Sequence, residues 1–135
     1  MAAQDRSQTA SFIDTRHVGD ATVTAVSEGG LLWSPRFPAP QAEWRQAMPE
    51  ADVDGRVWLG LNVVIIRLGE ALIVVDPGMD DPHSAWQRER PRVWPDWPVT
   101  RTPGLAAALV ELAIAPEDVT HVAITHPHVD HYPAS

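Results

Sequence analysis

Three histidines and one aspartate stand within six residues of each other: His126-Pro127-His128-Val129-Asp130-His131, an H-x-H-x-D-H pattern. Neutral imidazole and carboxylate are the donors that borderline divalent metals such as zinc prefer. In an extended segment, side chains at i and i+2 point to the same side, so His126 and His128 can grip one ion. A turn would bring Asp130 and His131 to a second point. Two ions about 3.5–4 Å apart can share a water and act together on one substrate. An isolated H-x-H is more often a solvated pair. Four donors in this order, directly after an apolar strand, outweigh chance.

The elements that must position these residues can be read upstream. Residues 1 to about 18 are polar and are expected to fray or to dock loosely. Residues 21–26 alternate small or polar with branched apolar side chains, as a half-buried strand does, and Gly29-Gly30 is expected to end it. Residues 31–49, with Trp33, Phe37, Trp44 and several prolines, read as a long loop with a short helix near 41–47. Residues 61–67 are rich in β-branched side chains and predict a strand. Leu68-Gly69-Glu70 is a turn, and residues 71–75 form the returning strand, apolar on both faces and therefore expected to be deeply buried. Asp76-Pro77-Gly78 closes this hairpin. Residues 79–101 read as irregular. A helix follows, with Thr102 as N-cap, Pro103 at its first position, and Leu105, Leu109 and Leu112 on one face. A short strand over 119–125 then delivers the histidine motif.

Composition limits the function classes. A chain of 135 residues is the length of one ordinary domain. A net charge of -8 disfavours nucleic acid and supplies no polybasic membrane patch. The absence of cysteine excludes disulfides, thiolate metal sites and cysteine nucleophiles. No secretory leader or membrane-length apolar run is visible, so a cytoplasmic protein is expected. G-x-S-x-G, P-loop and G-x-G-x-x-G patterns are missing.

Thr125 to His131 resembles the signature of the metallo-β-lactamase superfamily. Residues 115–124 resemble the helix end and strand that lead into that signature, and residues 72–78 resemble the family's earlier strand-and-aspartate motif. The resemblance runs from residue 20 to residue 135 and departs at Tyr132-Pro133-Ala134, where many members have small residues and glycines. It implies an α/β (α+β) fold: the N-terminal half of an αββα sandwich, with a largely antiparallel mixed sheet and a helix on one face. Residues 1–18 would be a flexible N-terminal segment and 19–135 the N-terminal half of the domain, truncated after the H-x-H-x-D-H motif. It also implies a site, with His126 and His128 on a first metal and Asp130 and His131 on a second. Asp130 would orient or deprotonate the attacking water, and Asp76 would support the metal loop from behind. Two zinc ions are the expected cofactor, with iron or manganese as alternatives.

In that family a second half supplies further histidine and aspartate ligands. No residue follows Ser135, so an N-terminal fragment, inactive alone, is expected. His17, His83 and His121 do not substitute by motif. The expected activity of the complete protein is hydrolysis of a small-molecule ester, lactone or phosphoester. The alternatives are an iron-dependent redox member of the same family, or a non-catalytic half-domain that pairs with its missing half or with a second copy. Segments 31–58 and 86–97 would either wall an apolar substrate pocket or plug the sandwich.

Overall fold

The computed structural model describes residues 11–80, 83–85, 88 and 98–134. Its framework is one six-stranded sheet: β1 (Ile13–Val18), β2 (Ala21–Trp33), β3 (Val57–Leu68), β4 (Ala71–Val75), β5 (Val99–Arg101) and β6 (His121–Ala123). Among the described residues it is accompanied by α1 (Gln41–Ala47) and α2 (Gly104–Glu111), with a 3-10 turn at Pro116–Asp118. The strand order is β1-β2-β3-β4-β6, with β5 paired to β2. All pairs are antiparallel except β4 with β6. The expected mixed, largely antiparallel α/β architecture is therefore present.

The β3–β4 hairpin follows the sequence reading closely, with β4 spanning residues 71–75 and Gly69 in the left-handed turn conformation (φ 56°) that a side chain disfavours. Its burial is one-sided, however. Leu72 and Val74 are buried, whereas Ala71, Ile73 and Val75 are only half-buried. The buried face joins Val26, Val63 and Ile65 to Leu105 and Ala108 of α2, with Leu109 and Leu112 packed beside them. The helix lies on this face because its apolar residues recur at i, i+3 and i+4.

Three local expectations are corrected. Residues 13–18 form a paired strand instead of a frayed or loosely docked segment: β1 pairs with β2 from Ile13↔Val26 to Val18↔Ala21, and the Thr15 and Thr24 hydroxyls meet at 2.9 Å. Its side chains are mostly exposed, so polarity misled; backbone pairing holds this edge strand, while Phe12 and Ile13 reach the core. Secondly, Gly29-Gly30 does not end β2, which runs on to Trp33. The β2–β3 register shifts between Ser27 and Gly29, a bulge that leaves Glu28 out of the ladder. Beyond it β2 pairs with β5, at Gly29↔Arg101 and Leu31↔Val99.

Thirdly, Thr102 is not the N-cap of α2. Its hydroxyl donates to the Ser27 carbonyl, Pro103 takes the cap position, and the open amide of Leu105 donates to Glu28 Oε1 at 3.1 Å. The bulged glutamate thus caps the helix from another strand. Glu28 is 2 % exposed and also accepts the Met79 amide through Oε2 at 2.7 Å. Gly78 (φ 90°) passes so close that a Cβ there would collide with this carboxylate. One buried side chain therefore ties β2, the loop after β4 and the start of α2 together.

Candidate active site

Parallel pairing of β4 with β6 decides where the motif lies. The register Ile73↔His121, Val74↔Val122, Val75↔Ala123 brings both carboxyl ends to one edge of the sheet. The Asp76 amide extends the ladder by donating to the Ala123 carbonyl at 2.8 Å. Asp76 follows β4 and Thr125 follows β6, so residues 49 apart in sequence become neighbours.

The Asp76 carboxylate accepts from the Thr125 amide (2.8 Å, Oδ1) and the Thr125 hydroxyl (2.7 Å, Oδ2). Oδ2 also lies 2.9 Å from His131 Nδ1. Asp76 is buried and sits at φ 49°, a backbone conformation that a non-glycine residue adopts only when its surroundings hold it there. Burial disfavours its charge, but the Thr125 amide and hydroxyl and the His131 ring outweigh that, so the carboxyl titrates below its ordinary value.

The three imidazoles of the motif cluster. The His126 and His131 ring centroids are 4.0 Å apart, and those of His126 and His128 4.4 Å. His126 Nε2 and His128 Nδ1 converge to 3.0 Å. His131 Nε2 lies 3.4 Å from Asp130 Oδ2. The loop is tightened by hydrogen bonds from the His128 amide to the His126 carbonyl and from the His131 amide to the His128 carbonyl, each 3.0 Å. His126 and His128 are exposed, while Asp130 and His131 are half-buried. All four line a cleft of about 440 Å³, together with Leu31, Trp33, Leu59, Gly60 and Leu61.

The donors fall into two pairs rather than one cage. Among the described residues, no group of three His, Asp or Glu side chains is arranged to hold an ion. The first pair has fitting chemistry: two nitrogens that each bind one zinc at roughly 2.0–2.1 Å in tetrahedral geometry stand about 3.3 Å apart, close to the 3.0 Å seen here. Each pair would need further donors to close its shell.

Other histidines stay outside this cluster. His17 and His121 are exposed and pair with the hydroxyls of Thr22 (3.2 Å) and Thr120 (2.8 Å). His83 does not line the cleft. Of the aromatic side chains in segment 31–58, Trp33 lines the cleft; Phe37 packs edge-on between Trp33 and Trp44. Trp86, Trp94 and Trp97 lie outside the described residues. Sequence reasoning missed Thr125 as a site residue, although it abuts the motif. It also missed the Leu31–Leu59 wall, which depends on strand register.

Comparison with known proteins agrees with this geometry. Residues 56–132, more than half of the chain, match the sequence model of the metallo-beta-lactamase superfamily. None of the curated proteins is significantly similar in sequence. Among solved structures, a "probable metal-dependent hydrolase" from Staphylococcus aureus is similar with a TM-score of 0.68 at 18% identity, over 88% of this chain and 42% of that one. The hydrolase AbOPH of the beta lactamase superfamily gives 0.66 at 21% identity, over 92% and 39%. AidC, a dizinc quorum-quenching lactonase solved with the product N-hexanoyl-L-homoserine, gives 0.60 at 19% identity, over 88% and 37%. The chain thus spans about two fifths of the length of each of these proteins. Among its described residues no helix is long and apolar enough to cross a membrane. With the family's sequence pattern over most of the sheet and its fold throughout, the chain belongs to the metallo-beta-lactamase superfamily.

Proposed function

We propose that this chain carries half of the metal-binding apparatus of a hydrolase that cleaves an ester, lactone or phosphoester. His126 and His128 would hold one zinc ion, and Asp130 and His131 a second. The observation that carries this reading is the convergence of His126 Nε2 and His128 Nδ1, with Asp130 and His131 paired beside them in one cleft. The remaining donors would come from outside these 135 residues or from a second copy. When bound, the ions supply Lewis acidity: they polarise the oxygen on the scissile centre and make water a better nucleophile near neutral pH.

The chain's own residues prepare that site through proton placement. Thr125 Oγ1 donates its proton to Asp76 Oδ2, so its lone pair accepts from His126 Nδ1 at 3.0 Å. His126 is then held as the tautomer with its proton on Nδ1 and a free lone pair on Nε2, the atom that faces His128. Asp76 Oδ2 also lies 2.9 Å from the buried His131 Nδ1, outside hydrogen-bond geometry, so it would act on that ring through its charge, favouring a proton on Nδ1 and leaving Nε2 toward Asp130. One carboxylate would thereby bear on two ligand rings. Asp130, which lines the cleft, would accept a proton from water beside the scissile bond.

Zinc titration of the chain tests the assignment. Addition of zinc is expected to shift the ring nitrogen resonances of His126, His128 and His131 and leave those of His17 and His121 unmoved. His128→Ala should weaken zinc binding at least tenfold, while His121→Ala should not. Equal loss from both substitutions, or shifts confined to His17 and His121, would reject it.

A further inference from the structure

After β4 the backbone passes through three left-handed residues in alternation: Asp76 (φ 49°), Gly78 (φ 90°) and Asp80 (φ 70°). Two of them carry a Cβ that this region crowds against the backbone, so the segment keeps its shape only where its surroundings hold it. That shape matters to the histidine motif at two places. The Asp76 carboxylate leaves this backbone to bind Thr125, just before the motif, and to face His131. The Gly78 carbonyl accepts the amide of Ala134, just after the motif, at 3.4 Å.

Three ties hold the segment. Thr125 binds Asp76 at one end, and Arg101 Nη2 donates to the Asp80 carbonyl at 2.8 Å at the other. Glu28 stands in the middle, where its Oε2 accepts the Met79 amide at 2.7 Å and its carboxylate occupies the room a side chain at 78 would need. Glu28 is itself fixed. Its carbonyl accepts the Thr102 amide at 3.3 Å, its Oε1 accepts the Leu105 amide at 3.1 Å, and the side chain is buried. A carboxylate offers two acceptor oxygens, which suits two amides that converge on it. The register shift between Ser27 and Gly29 takes it out of the strand ladder and frees it for this use.

We infer that Glu28 is a positioning residue for the histidine site: by clamping Gly78 and Met79 it holds Asp76 in the backbone conformation from which the Asp76 carboxylate binds Thr125 and faces His131. Glu28 acts through Asp76 and not on a ligand ring. The inference rests on the proposed metal-site reading for the use to which Asp76 is put, while the positioning itself is a property of the metal-free chain. Loss of the clamp lets the left-handed residues relax, and the carboxylate then loses its aim.

Glu28→Ala removes the clamp, and Leu72→Ala, a core truncation at the far end of β4 from Asp76, controls for lost stability alone. Both are followed without zinc by the Thr125 amide proton shift and the ring nitrogen shifts of His131. In Glu28→Ala the Thr125 amide is expected to move upfield, as its bond to Asp76 is lost, and the His131 nitrogens to move with it. Leu72→Ala should keep the wild-type positions of both. Wild-type shifts in Glu28→Ala, or the same changes in Leu72→Ala, would overturn the inference. Should Glu28→Ala not fold, amide exchange in the unaltered chain decides. The Met79 and Thr125 amides are expected to open together, at rates within about threefold, and a Thr125 amide protected roughly tenfold or more beyond Met79 would overturn the inference. Zinc titration reads the metal assignment separately. If the unaltered chain binds no zinc, that assignment fails and the metal-free shifts still decide the role of Glu28. Where zinc binds, Glu28→Ala should weaken it by about tenfold, and an unchanged affinity would overturn the inference.

Discussion

Asp76 grips Thr125 by two different donors, the backbone amide at 2.8 Å and the hydroxyl at 2.7 Å, across 49 residues of sequence. The first bond fixes where β6 ends. The second passes through the hydroxyl to His126 Nδ1. Structural and chemical roles are thus joined in one buried carboxylate, and different substitutions separate them.

Asp76→Asn keeps the shape and tolerates the left-handed backbone, so it tests charge alone. It is expected to destabilise the chain by about 1.5–3 kcal/mol, the range for a hydrogen bond to a charged group. Zinc affinity should fall by roughly 10–100-fold, as for other carboxylates that orient ligand imidazoles. Urea unfolding and zinc titration measure the two effects; unchanged values for both would remove Asp76 from the site.

Thr125→Val deletes the hydroxyl while preserving the strand and the Asp76-to-amide bond. The expected result is a shift of His126 from one dominant tautomer to a mixture, read from the nitrogen chemical shifts of the ring. Thr125→Ser should restore the dominant tautomer. A valine variant with wild-type nitrogen shifts would show that the hydroxyl does not set the proton on His126.

Glu28→Ala leaves the buried amides of Met79 and Leu105 without their partner. Each unsatisfied buried group costs about 1–3 kcal/mol, so a loss of roughly 2–6 kcal/mol is expected. Glu28→Gln, which retains one acceptor oxygen, should cost less. The urea midpoints of the two variants give the ranking, and an alanine variant as stable as wild type would contradict the latch.

Acid titration reaches a loop remote from the histidines. Asp52 is held below its ordinary value of 3.8, first by the Arg56 amide and further by the Arg56 side chain and the Asp54 amide. Its folded value is depressed, so the contribution to loop stability is complete above the unfolded value and is lost as pH falls through the folded one. The Arg56 amide, 2.8 Å from Asp52 Oδ1, is the reporter. Its proton shift should titrate with a midpoint below 3.8, and a midpoint at or above that value would contradict the bond.

The chain as given is expected to bind zinc weakly, because two donors per ion leave several exchangeable positions. Dialysis against buffer should strip most of the metal, and turnover of a generic lactone or phosphotriester should stay near background. Stoichiometric retention of two zinc ions with robust turnover would show that these residues suffice.

Much of this protein is written locally. The H-x-H-x-D-H spacing, the β-branched runs of β3 and β4, the Gly69 turn and the leucine face of α2 are each properties of a few consecutive residues. Short-range sterics, hydrophobic period and donor chemistry therefore made them legible before any fold was known. Tertiary structure alone decided the partnerships. Asp76 meets Thr125 and His131 only because β4 and β6 run parallel in one register. Glu28 caps a helix some 77 residues away only because a bulge turns it out of its ladder. β1 is a strand through backbone pairing that its polar side chains do not announce, and Leu31 joins Leu59 in a cleft wall because the β2–β3 register puts them on one face. Hydrogen bonds and packing between distant segments depend on how strands align in space, and no local pattern of side chains encodes that alignment.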